Sequence, residues 1–283
     1  MGDSKPAISF SPTWYLLEQE GLLSQACLCN GLTALRNANL GEKKGLYYSA
    51  FFELYNGFER LMKLILVIDH MAKNDLSSPS ESAIKSYGHK LMALFTATRS
   101  ICERANYPIP TSLGAGDLSI QLLSFLDDFA HPGGRYANIS KLTGGKHQHM
   151  GDPLCRWGEI ATDIMVKHAT PTQRNRAEVM GRLAGLAFGE SALNTISDLD
   201  QQDLDVDGLH ARVSILDSAS KHAVFALVLL ISFLRDVLGN VTDLAQNLER
   251  DQSSEAAMIP FMREFFYFAW ADRAYVMRKR RWP

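Results

Sequence analysis

The stretch LYYSAFFELYNGFERLMKLILVIDHMAK, residues 46–73, constrains the fold more than any other part of the chain. It is long, lacks proline and follows a helical period. Projected at 100° per residue, Phe51, Phe52, Leu54, Tyr55, Phe58, Leu61, Met62, Leu64, Ile65, Leu66 and Ile68 occupy most of its circumference. A helix this apolar has to be wrapped by other elements. Glu53, Asn56, Arg60 and Lys63, spaced 3, 4 and 3, stack on the face that remains, with Glu59 and His70 bordering it. Glu59 and Lys63 also stand in the favourable i,i+4 order for an ion pair. Such a stripe is either a solvated face with ordinary ion pairs or the wall of a polar cleft. In a cleft, Arg60 offers the planar fork suited to phosphate and Lys63 a point charge.

The rest of the chain obeys the same period. Alternating apolar–polar segments and β-branched runs are scarce, so an all-α fold is expected. Helices are predicted over 13–39, 46–73, 80–105, 117–130, 153–168, 172–196, 207–238, 241–250 and 260–279, with stops at Asn39–Gly41, Asn74–Asp75 and His131–Gly134. The turn-rich stretch GRYANISKLTGGKHQHMGDP, residues 134–153, marks the strongest organisational boundary, near residue 150. It predicts an N-terminal helical bundle over 1–150 and a C-terminal helical domain over 151–283.

The most apolar run, AVFALVLLISFL over Ala223–Leu234, is flanked by Lys221–His222 and Arg235–Asp236. A bilayer span needs about 20 apolar residues. The run therefore reads as a buried central helix, and no membrane span is expected. The opening MGDSKPAISFSP lacks a basic region followed by an apolar one, and Cys27, Cys29, Cys102 and Cys155 form no C-x-x-C pair. Reduced thiols and a cytoplasmic location are the expectation. The net charge of -2 excludes a global positive field, so nucleic acid would have to be held by a local patch.

Three segments then combine. YYSAFFELYNGFERLMKLILVID (47–69), with Glu59-Arg60-x-x-Lys63, resembles the second helix of HEPN-type domains. Gly88-His89-Lys90-Leu91-x-x-Leu94-Phe95 is similar to the start of their third helix. Leu123-x-x-Leu126-Asp127-Asp128-Phe129 followed by Gly134-Arg135-Tyr136-Ala137-Asn138-Ile139 is similar to the segment near their fourth. The resemblance covers roughly residues 15–145. It implies a helical bundle, commonly dimeric, associated with RNA cleavage or nucleotide binding, often in bacterial toxin–antitoxin and phage-defence systems. Nuclease members use R-x(4–6)-H; no arginine here has a histidine five to seven positions downstream. No catalytic residue therefore carries over. What carries over is the fold and the matching positions Glu59, Arg60, Lys63, His89, Arg135 and Tyr136; read from the residues themselves, a basic ligand-binding cleft is expected at Arg60, Lys63, His89, Arg135 and Tyr136, with Arg135 leaving a turn to join Arg60 and Lys63 around an anion. Two of them have a plainer alternative: His89 as a packed histidine bonded to a neighbouring backbone group, and Arg135 as the partner of Asp127 or Asp128.

His147-x-His149-x-x-Asp152 contains metal-ligand types, but three such residues in one loop read as an ordinary polar loop, and no metal or cofactor is expected. Gly-x-Gly-x-x-Gly, P-loop and G-x-S-x-G motifs are absent. Phe261, Phe265, Phe266, Phe268, Trp270 and Tyr275 precede the basic tail Arg278-Lys279-Arg280-Arg281-Trp282-Pro283. The tail is a candidate nucleic-acid contact through Arg278, Lys279, Arg280 and Arg281, or a solvated end to a core helix. The apolar helices offer more surface than one small bundle hides, so a homodimer is expected. Two functions follow: an RNA- or nucleotide-associated protein of a bacterial defence or stress system with a protein partner in that system, or a non-enzymatic dimerisation and interaction scaffold.

Overall fold

The computed structural model describes residues 9–114, 116–145, 151–188, 197–252, 256–270 and 272–283. It is 76% helix and 2% strand, which makes the fold all-α. Among the described residues the strand content is a parallel two-residue pairing, β1 (Ser9–Phe10) with β2 (Ala256–Ala257), and an isolated antiparallel bridge between Ser197 and Asp203. The helices are α1 (Pro12–Asn37), α2 (Leu46–Lys73), α3 (Glu81–Ser86), α4 (Leu91–Ala105), α5 (Leu118–Ala130), α6 (Pro132–Arg135), α7 (Ala137–Thr143), α8 (Pro153–His168), α9 (Pro171–Phe188), α10 (Val206–Asp251) and α11 (Arg273–Arg278). The predicted boundary near residue 150 and the residues His147 and His149 lie outside the described residues, as does the end of the helix predicted over 172–196.

The chain forms two compact units, each built from three stretches: 1–28, 56–114 and 229–270 in the first, and 29–55, 115–228 and 271–283 in the second. The long helices α1, α2 and α10 contribute to both. In the first unit Phe58, Leu61, Met62, Ile65 and Ile68 of α2 are buried, as are Leu94 and Phe95 of α4 and Leu230, Leu234 and Leu238 of α10. The second unit is centred on aromatic rings. Phe51 meets Phe125 edge-on at 4.8 Å and Phe129 at 5.5 Å, and Trp157 lies 5.8 Å from Phe51 and 6.1 Å from Tyr47. Such tilted and edge-on pairs add to the burial of the rings themselves.

Two glycines let α1 and α2 approach closely. A Cβ on Gly31 would fall 2.6 Å from Leu54 Cγ, and one on Gly57 would fall 2.6 Å from Leu28 Cγ and 2.9 Å from its backbone nitrogen. Ser24 Oγ donates to the Gly57 carbonyl at 3.0 Å in the same crossing.

Four predicted helices are corrected. The helix predicted over 80–105 is two helices, because Gly88 takes φ +60°, a left-handed conformation that stops α3 and restarts the chain at Lys90. The helices predicted over 207–238 and 241–250 are one, α10. A glycine inside a helix costs about 1 kcal/mol, and burial of Val237, Leu238 and Val241 around Gly239 offsets it. The helix predicted over 260–279 is a tight 3-10 segment, Met262–Trp270, interrupted at Phe266 (φ -113°, ψ 29°), and then α11, capped by Asp272 accepting from Tyr275 N at 2.8 Å. Phe266 and Phe268 are buried while Phe261 and Tyr267 are exposed. Within the described residues α10 is the one helix long and apolar enough to cross a membrane, and 72% of its apolar window is buried inside the protein.

Candidate functional site

In the first unit the α2 stripe meets the corner between α3 and α4. Glu59 Oε1 accepts from Lys63 Nζ at 2.6 Å and lies 2.8 Å from His89 Nδ1. A carboxylate beside an ammonium only accepts, so Nδ1 carries the proton and the tautomer of His89 is set by Glu59. The left-handed Gly88 delivers His89 to this position. The Glu59 side chain is only 12% exposed, whereas the His89 side chain is 81% exposed. The carboxylate is thus a mostly hidden anchor, and the imidazole is exposed to solvent. Lys63, at 24%, lies between these extremes.

Arg60 is one position round the same helix. Its NH1 donates to Glu20 Oε2 of α1 at 2.6 Å. That hydrogen bond holds the guanidinium above its ordinary pKa. Both side chains are about two-fifths exposed, and such pairs are worth about 0–1 kcal/mol.

Arg135 and Tyr136 belong to the second unit. The Arg135 guanidinium lies 4.9 Å from the Tyr55 ring centroid and 5.4 Å from that of Phe52. Those are cation–π distances. Among the described residues its buried Nε has no hydrogen-bond partner. Asp128, one of the two carboxylates considered for it, pairs with Arg156 at 2.5 Å. Tyr136 is 62% exposed ahead of α7.

The basic tail is also in the second unit, and it is docked. Arg36 Nε donates to the Lys279 carbonyl at 3.3 Å, and Asn37 Nδ2 donates to the Arg280 carbonyl at 2.9 Å. Trp282 N donates to Thr33 Oγ1 at 3.0 Å, and the Trp282 side chain is buried. Arg280 NH2 reaches Asp217 Oδ1 at 3.1 Å, while Arg278 and Arg281 are exposed. Asp217 is a hub that sequence reasoning missed, since Arg36 and Lys221 bind it too, at 3.3 and 2.5 Å. Burial works to raise the Asp217 pKa, yet Lys221, Arg36 and Arg280 together hold it below its usual value. Nothing in the local sequence signals a partner 181 residues from Arg36.

The remaining candidates resolve simply. Asp152 caps α8, accepting from Leu154 N at 2.8 Å, and lies 3.3 Å from the Tyr48 hydroxyl. Among the described residues no group of three metal-ligating side chains occurs. Burial pushes the Cys29 thiol up to about 12 against the opposing pull of Lys279, and Cys102 up to about 11, so neither is a thiolate nucleophile at neutral pH. What the Glu59–Lys63–His89 cluster can do is bind an anion, with the imidazole as a proton donor or acceptor and the ammonium as a fixed charge. Comparison with family models, with curated proteins and with solved structures finds no match.

Proposed function

We propose that the chain is an RNA- or nucleotide-associated protein of a bacterial defence or stress system. Its phosphate-binding groups are Lys63 and His89, held by Glu59. The observation that carries this reading is the convergence of two separate sequence motifs, residues 59–63 and 88–89, on one carboxylate oxygen. A carboxylate that orders a lysine and an exposed histidine prepares both for a phosphate and lowers the entropy lost on binding. The HEPN resemblance supports the same ligand class. Arg60 flanks the cluster as a secondary contact, and its pair with Glu20 has to open before it serves.

The test is fluorescence anisotropy of a mixed-sequence RNA with the full chain at two salt concentrations. Affinity should fall with salt, with a slope of about -0.7 per phosphate contact. Lys63→Ala should weaken binding about tenfold. Absence of binding at low salt, or a Lys63→Ala variant that binds as well as the parent, refutes the reading.

A second reading, the dimerisation and interaction scaffold, is favoured by α9. Val179, Met180, Leu183 and Leu186 recur at helical spacing and are 45–86% exposed. A row of that kind is what an interface helix presents. A chain that fails to bind RNA yet runs as a homodimer by light scattering belongs to this reading.

A further inference from the structure

The first unit contains a cavity of about 520 Å³ between the C-terminal half of α2, the short helix α3 and the C-terminal half of α4. That is the size of pockets that take small organic ligands. Its wall continues the α2 face of the candidate site, since Glu59, Lys63, Leu66, His70 and Lys73 follow one another at spacings of 4, 3, 4 and 3. The cavity nevertheless has its own charge centre. Asp69, 14% exposed, accepts from Lys73 Nζ through Oδ1 and from Arg104 NH2 through Oδ2, the latter at 3.2 Å. Both cations stand at the rim, with side chains 49% and 60% exposed. The apolar floor contacts come from Leu66, Ile84 and Ile101, which share the lining with polar His70, Asn74, Ser86 and Ser100.

We propose that this cavity binds a small organic monocarboxylate whose apolar body lies on Leu66, Ile84 and Ile101 and whose carboxylate is held by Lys73 and Arg104. Two cations and one shared carboxylate leave a single surplus positive charge at the rim, which matches a monoanion better than a phosphate dianion. An ammonium has three donors and a guanidinium five, and Asp69 engages one of each, so both cations keep donors for a ligand. Asp69 also fixes where they point, and a carboxylate suits the planar fork of Arg104. The acetate group alone would gain charge contacts without floor contacts, and a neutral alcohol the reverse. This inference is independent of the RNA reading, because it uses neither Lys63 nor His89.

The experiment is saturation-transfer NMR on the full chain with hexanoate, hexanol, acetate and inorganic phosphate. Hexanoate should bind, and hexanol and acetate each about tenfold more weakly. Arg104→Gln should weaken hexanoate about tenfold and leave hexanol unchanged. Ala83→Trp should fill the cavity and abolish hexanoate binding; α3 contains no buried residue, so this variant keeps the parent melting temperature. Neither substitution should alter RNA affinity, whereas Lys63→Ala should alter RNA affinity and leave hexanoate binding unchanged. No transfer from hexanoate, equal binding to Arg104→Gln, retained binding in Ala83→Trp, or phosphate binding more tightly than hexanoate would each overturn the proposal.

Discussion

Replacing His222 with leucine should remove most of the stability change of the second unit between pH 6.5 and pH 4. His222 lies on α10 and is 5% exposed. Its ring is 5.8 Å from that of His168 on α8, and Lys221 and Arg273 add positive charge. Among the described residues its Nε2 has no hydrogen-bond partner. Burial first, and then the charges of His168, Arg273 and Lys221, depress its pKa from 6.5 to about 4. The sign follows from which state takes the proton. Above pH 6.5 the imidazole is neutral in both states and its contribution is complete. Between 6.5 and 4 the unfolded chain is protonated and the folded chain is not, so stability falls with pH. Below 4 both are protonated and the slope ends. A shift of that size corresponds to at most about 3 kcal/mol.

The assay is urea unfolding followed by far-UV circular dichroism at intervals between pH 7.5 and pH 4, for the parent and for His222→Leu. The carboxylates that titrate in the acid limb are common to both proteins, so the difference between the curves isolates His222. Asp217, whose pKa is held low, loses its ion pairs only below that window. Leucine matches the buried volume and removes an unsatisfied nitrogen, so the variant should be at least as stable as the parent at pH 4.5. Parallel stability curves for the two proteins would refute the reasoning, because the parent would then pay nothing for keeping this imidazole neutral.

Gly57→Ala should destabilise the first unit by about 1–3 kcal/mol, read as a lowered urea midpoint, because the new Cβ meets the Leu28 backbone and the helix-propensity gain of about 1 kcal/mol is smaller; an unchanged midpoint would show that α1 and α2 separate freely. Deleting Trp282–Pro283 should lower the midpoint as well, by about 3 kcal/mol, since it removes a buried aromatic side chain and the bond to Thr33. A truncated chain as stable as the parent would mean that the tail is not held by α1.

How much of this was legible in the sequence depended on range. The bounds of α2 were, because its period is unbroken over 46–73 and Asn74–Asp75 stop it. The Glu59–Lys63 pair was too, being one helical turn apart. The break at Gly88 was not: an isolated glycine interrupts some helices and not others, and Gly239 within α10 does the opposite. What decides is burial beside the glycine: Val237, Leu238 and Val241 are buried around Gly239, whereas α3 has no buried residue. The aromatic segment 261–270, predicted as part of one helix over 260–279, is instead a 3-10 segment interrupted at Phe266, with Phe266 and Phe268 buried. Glu20 opposite Arg60, and Asp217 opposite Arg36 and Arg280, were invisible because each pair forms only when distant helices pack.

Those tertiary pairs also explain how a chain with a net charge of -2 can present basic surfaces. Some of its cations share a carboxylate: Lys73 and Arg104 on Asp69, and Arg36, Lys221 and Arg280 on Asp217. Three cations around one carboxylate leave two positive charges in surplus, while acidic residues are concentrated elsewhere, as in the tract SDLDQQDLDVDG. The shared carboxylate therefore does not cancel a site. It orders side chains that would each lose rotamer freedom on capturing an anion, roughly 1–2 kcal/mol for a lysine or arginine, and it does so before the ligand arrives. A mostly hidden Glu59 holding Lys63 and an exposed His89 is the same device on a smaller scale. Counting basic residues along the chain would rank the tail first, yet its backbone is tied to α1 and its Arg280 is engaged by Asp217. In the proposed reading the cluster at Glu59 ranks above it, because a phosphate there would meet groups already placed.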